Sequence, residues 1–122
     1  MTPSPVDVVQ EQLEAYNARD LDRFAATYSD SIRIFRLPAT EPAIVGMEKL
    51  RETYKARFSS PALHANIVNR MVLGNKVIDH ESVRGIREGL VEAVAIYEVA
   101  DGLIQTVWFV YPDAPFPIPD RQ

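Results

Sequence analysis

Apolar residues recur at helical spacing at the front of the chain and at strand spacing at the back. Between Pro5 and Asn17, Val6, Val9, Leu13 and Tyr16 return every three to four residues, and Pro5 suits the first turn of a helix, where its missing N–H is no loss. After the turn NARD, the segment LDRFAATYSD repeats the pattern with Leu21, Phe24 and Tyr28, and Asp20 stands ready to cap it. The two helices are expected to form a hairpin. SIRIFRL (31–37) is rich in β-branched residues and stops at a proline, which predicts a strand, with PATEPAIVG as a loop behind it. A third helix is predicted over 47–58, where Met47, Leu50, Tyr54 and Phe58 form one stripe and basic residues fill the last turns.

From residue 64 the period shortens to two. HANIVNRMVL, NKVIDHESVR, LVEAVAIYEV and LIQTVWFVY are separated by GN, GIREG and ADG, as expected of four antiparallel strands in a meander. Helices followed by hairpins indicate an α+β fold with the helices on one face of the sheet. Alternation places Val91, Ala93, Ala95, Tyr97 and Val99 on one side of their strand. It likewise separates Ile104, Thr106, Trp108 and Val110 from Gln105, Val107, Phe109 and Tyr111. Both faces carry apolar residues, yet helices cover only one. The remaining patch, centred on Val94, Ile96 and Trp108, is therefore expected to be buried by a second copy of the chain.

The stretch VIDHESVRG departs from this pattern by placing Asp79, His80 and Glu81 consecutively in a strand. Alternation groups Asp79 and Glu81 with Val77 and Val83, and turns His80 to the opposite face. Two adjacent carboxylates on an apolar inner face would repel, and desolvation would favour holding one protonated near neutral pH, which suits an acid–base pair. Equally, the two could pair with Arg36, Arg70 or Arg84 as a structural network. His64, just ahead of the first meander strand, is a further candidate base.

Composition narrows the remaining choices. The 122 residues fit one domain, 1–122, with a proline-rich tail at 112–122. Thirteen basic against seventeen acidic residues, a net charge of −4, give no footprint for nucleic acid. Cysteine is absent, which removes thiol chemistry and disulfides. No segment has the length and apolarity to cross a bilayer, so a cytoplasmic protein is expected. Nucleotide-binding signatures are missing and the histidine spacing matches no ligand motif, so neither a cofactor nor a metal is expected.

The order of elements, with VVQEQLEAYNARDLDRFAATYSDSIRIF at the front, IVGMEKLRETYKARF in the middle and AIYEVADGLIQTVWFV at the end, resembles the NTF2-like superfamily, in its SnoaL-like and ketosteroid-isomerase-like branch. That resemblance implies a cone: a bent sheet wrapped around three N-terminal helices, with an apolar pocket at one end. Its members include isomerases, polyketide cyclases, hydrolases and proteins that only bind, so fold does not fix function. The positions that in ketosteroid isomerases hold a helix tyrosine, a general-base aspartate and a protonated aspartate are occupied here by Gln12, Arg36 and Ala95. Arginine accepts no proton and alanine donates none, which removes that mechanism. The resemblance implies a pocket for a compact apolar molecule, with Asp79, Glu81 and His64 as catalytic candidates. Tyr16, Phe35, Arg36, Tyr54, Ala95, Tyr97, Phe109 and Tyr111 are the expected lining. A non-catalytic ligand-binding or dimeric interaction domain is the alternative.

Overall fold

The computed structural model describes residues 2–112; the tail expected at 112–122 lies, beyond Pro112, outside the described residues. Three helices, α1 (Pro5–Ala18), α2 (Leu21–Ala25) and α3 (Met47–Arg57), pack on one face of a curved, unclosed six-stranded sheet. Its strands are β1 (Tyr28–Arg36), β2 (Ile44–Val45), β3 (His64–Leu73), β4 (Lys76–Arg84), β5 (Val91–Ala100) and β6 (Leu103–Val110), in the order β2-β1-β6-β5-β4-β3. All neighbours are antiparallel except β1 and β6, which run parallel.

The turn between the first two helices explains the local sequence around it. Ser4 caps α1, and Arg19 ends it in the left-handed conformation with its N–H returned to the Ala15 and Tyr16 carbonyls. Asp20 then caps α2 through the Arg23 N–H. Asn17 holds the backbone of Ala65 from both sides, donating to its carbonyl at 3.0 Å and accepting from its N–H at 2.8 Å. The helix hairpin is thereby bolted to the start of β3.

Two expectations about local structure are corrected. The second helix stops at Ala25 instead of reaching Tyr28, because the Thr27 hydroxyl and N–H both fold back onto the Phe24 carbonyl and Tyr28 pairs with Ile104 in the sheet. The loop after β1 contains a two-residue strand, β2, which pairs with Arg33 and Ile34. The core that results is centred on Phe24, fully buried, with Tyr16, Tyr28, Tyr54 and Phe58 around it at centroid separations of 4.7 to 6.0 Å.

Irregular register decides which side chains face that core. β3 carries an extra residue at Val68: Ile67 opposes Glu81, but Asn69 opposes His80 and Arg70 opposes Asp79. The bulge flips the parity of β3, so odd-numbered Ala65 and Ile67 and even-numbered Arg70 stand against inward residues of β4. β6 has a similar shift between Ile104, which pairs with Val99, and Thr106, which pairs with Glu98. Ile104 is consequently fully buried, correcting its assignment by simple alternation to the face of Trp108.

One connection is fixed by backbone crowding. Gly85 follows β4 at φ 95°, and a Cβ there would lie 2.4 Å from the Cα of Leu63. Gly74, in the β3–β4 turn at φ 60°, has open space around it. Gly85→Ala is expected to lose at least about 3 kcal/mol in urea unfolding, since it combines strained backbone with a backbone collision, against about 1 kcal/mol for Gly74→Ala. Equal losses at the two positions would show that the contact with Leu63 is not limiting.

Candidate functional site

β4 exposes and buries its residues strictly in turn, with Val77, Asp79, Glu81 and Val83 buried toward the helices. The two carboxylates reach opposite states. Asp79, 1 % exposed, is gripped by Arg70 across the β3–β4 ladder, Nε to Oδ1 at 2.7 Å and a terminal nitrogen to Oδ2 at 2.9 Å. The other terminal nitrogen of Arg70 donates to Gln10 on α1 at 2.8 Å. This two-point geometry satisfies both carboxylate oxygens and makes the pair electrically neutral. Arg70 stands there because of the bulge at Val68.

Glu81 has no such partner. It lies between Ile67 on β3 and Ala93 on β5, is 9 % exposed, and its carboxyl makes no hydrogen bond or ion pair among the described residues. Burial pushes its proton affinity up, the negative charge of Asp79 adds to the rise and Arg57 opposes it, leaving a pKa of about 7. Both protonation states are thus populated near neutral pH.

Glu81 and Asp79 line a cavity between α1, α3 and the inner face of the sheet. Tyr16, Tyr54, Tyr97, Phe109 and Tyr111 line it too, with Gln12, Leu13, Ile67, Val83, Ile86 and Ala93 supplying further wall. Burial raises the hydroxyl pKa of Tyr16 and Tyr97 and moves that of Tyr54 to about 12, so these groups remain O–H donors at neutral pH. The Tyr97 hydroxyl makes no hydrogen bond among the described residues. A smaller space of about 290 Å³, with Arg36 and Ile44 in its wall, shares Tyr54, Arg57, Phe109 and Tyr111 with the first.

Three expected members of this site lie elsewhere. Phe35 is on the outer face: its neighbour Ile34 takes the inward position, and the Phe35 ring stacks on Trp108 at 6.3 Å beneath the Arg33 guanidinium. His64 pairs with Arg84 at the start of β3, with Ala65 rather than His64 turned to the cavity. Ala95 faces inward but is fully buried between Asp79 and Phe109, behind the cavity wall. Arg36 is exposed and reaches the mouth, its guanidinium 5.9 Å from the Tyr111 ring.

Sequence reasoning missed Arg57. It belongs to the last turn of α3, where basic residues are usual for their effect on the helix dipole, so nothing marked it apart from Lys55. Its position three residues after Tyr54 on the same helical face was the available signal. His80 lies on the outer face and pairs with Glu92 at 2.9 Å. Among the described residues, no three metal-ligating side chains cluster, and no helix is long and apolar enough to cross a membrane.

An uncharacterized cystatin-fold protein from Novosphingobium aromaticivorans superposes with a TM-score of 0.79 at 24% identity, over 88% of this chain and 97% of that one. A putative ketosteroid isomerase from Kribbella flavida gives a TM-score of 0.77 at 19% identity, over 97% and 84%. A LEH-like epoxide hydrolase from M. tuberculosis gives 0.75 at 16% identity, over 88% and 82%. These similarities establish a shared fold. No curated protein matches the sequence. The SnoaL-like domain family matches residues 9–107, a span that runs from within α1 and includes α2, the Asp79–Arg70 pair and Glu81, and the chain belongs to that family.

Proposed function

We propose that the protein is a small-molecule enzyme in which Glu81 transfers a proton to or from a compact apolar substrate, with tyrosine hydroxyls orienting it. The observation that carries this reading is a buried carboxyl without a partner, aimed into a cavity and poised at about 7. A general acid or base works best with a pKa near the operating pH, and burial is the usual means of bringing a carboxyl there. Asp79 has a different role: held by Arg70, it raises the proton affinity of Glu81 without exchanging a proton itself. The acid–base pair expected of Asp79 and Glu81 thus narrows to one reacting group and one positioning group. Tyr97 and Tyr54 supply donors for a substrate oxygen.

Proton transfer is tested directly by exchange of α-protons of small cyclic ketones in deuterated buffer, followed by NMR. Glu81→Gln is expected to reduce the exchange rate by about 10²- to 10⁴-fold with the fold unchanged. Exchange that persists in the variant, or is absent from the unaltered protein, counts against the reading.

The same carboxyl has a stability signature. The groups facing it are Arg57, the Asp79–Arg70 pair and Tyr16, Tyr28, Tyr54, Tyr97 and Tyr111, whose hydroxyls burial pushes further above neutral pH. Its folded pKa is raised above the ordinary 4.5. The folded state therefore holds the proton more tightly, a contribution fully present below 4.5 and lost as pH rises through about 7. Relative to the unaltered protein, Glu81→Gln is expected to gain on the order of 2–4 kcal/mol above pH 7.5, with no comparable gain near pH 4. A pH-independent difference between the two would place Glu81 in water.

A homodimer through the outer sheet face accompanies this reading. Its support is a run of half-buried Val94, Ile96 and Trp108, continued by exposed Val110 and by Phe35 stacked on Trp108. Light scattering at micromolar concentration is expected to give twice the 13.7 kDa chain mass, and Trp108→Glu the single-chain mass. A single-chain mass for the unaltered protein overturns the dimer.

A further inference from the structure

Arg57 is the least compensated charge at the cavity. Its guanidinium is half-buried and forms no ion pair with any carboxylate among the described residues; it rests 5.1 Å from the Tyr54 ring. A ring face, the Tyr16 hydroxyl and the carbonyl end of α3 offset part of the cost of removing this charge from water, but none supplies the two in-plane acceptors that a guanidinium is shaped to receive. Arg57 stands where the two spaces join, in the walls of both, together with Tyr54, Phe109 and Tyr111. Arg36 lines the smaller space only, and it too has no ion pair among the described residues.

The charge balance of the walls is unusual for a cavity with two carboxylates. Asp79 is cancelled by Arg70, and burial beside Asp79 lets Glu81 hold its proton well above the ordinary carboxyl range. Arg57 keeps its charge at every accessible pH. The interior therefore sits between neutral and one positive charge, with a second positive group at its mouth. A neutral ligand leaves Arg57 without a countercharge; a dianion brings surplus negative charge beside Glu81 and Asp79.

We infer that the site takes an organic monoanion, a carboxylic acid with a compact apolar or aromatic body, whose carboxylate lies against Arg57 while the body reaches inward past Phe109 toward Val83 and Ala93. This inference rests on the cavity being the ligand site, and names the class of molecule for it. Arg57 receives the carboxylate through two parallel N–H bonds, and Arg36 draws the anion to the entrance. The ligand's inner end then lies on the same wall as Glu81, which leaves its charged end at the junction, away from the reacting carbon.

The test is calorimetric titration of the full chain with matched probes: benzoate against benzamide, and 3-phenylpropanoate against its amide. Each carboxylate is expected to bind at least about tenfold more tightly than its amide. In Arg57→Gln the preference disappears while the affinity for the amides stays the same, and Arg57→Lys, which keeps the charge but loses the fork, recovers part of it. Thermal unfolding of each variant confirms that the fold is retained. Equal binding of acid and amide, a preference that survives in Arg57→Gln, or no binding of either probe at millimolar concentration overturns the inference. The same titration in Glu81→Gln separates it from the catalytic reading. There the preference for the acid is expected to persist although proton exchange is lost, so each proposal can fail while the other stands.

Discussion

A carboxylate taken out of water has to acquire either a countercharge or a proton, and β4 presents two of them to the same interior. Asp79 has acquired the countercharge, through the two-point contact with Arg70. Glu81 has not, and its proton affinity rises accordingly. Much of the site follows from this division. Were both residues paired, the cavity would be lined by inert salt; were neither, two buried charges in adjacent inward positions would work against the fold. The single neutralised pair keeps one negative charge in place beside Glu81 while leaving Glu81 itself available.

Helix geometry and aromatic packing support the arrangement from the other side. The Asn17 amide locks α1 to Ala65, and the aromatic cluster around Phe24 fixes α1 against α3. Tyr16 and Tyr54 belong both to that cluster and to the cavity wall, so their hydroxyls are carried on rings whose positions are set by packing. A site framed in this way has little freedom to rearrange around a ligand. Its selectivity depends on which polar groups it already displays.

Most of the architecture was legible in the sequence because it rests on strong periodicities. The inward set of β4 and β5, from Val77 to Val83 and from Ala93 to Val99, follows directly from alternation, and the bolted turn is written in Asn17, Arg19 and Asp20. The failures cluster where a period is interrupted. Ile104 was misplaced by the register shift in β6, and Phe35 by a strand whose inward residues are Ile32 and Ile34. Tyr28 fits a helical stripe as well as a strand, and the ladder with β6 decided in favour of the strand. Arg57 was hidden for another reason. A basic residue in a last turn is ordinary, and only its place in the cavity wall, which the tertiary fold decides, separates it from its neighbours. His64 sits one residue from a cavity-lining position, a distance that in a strand means the opposite face.

The bulge at Val68 gives chain length a direct influence on charge. With one residue more on β3 than on the strand it faces, a basic side chain is turned inward just where an acidic one awaits it. Were Val68 taken up into a regular ladder instead, Arg70 would fall opposite Ile78 on the outer face and strand Asp79 in the interior, with no side chain substituted anywhere. The presence or absence of a bulge in this strand is therefore a route by which related sequences could retune the ionisation of their interiors, independently of the residues that face the ligand.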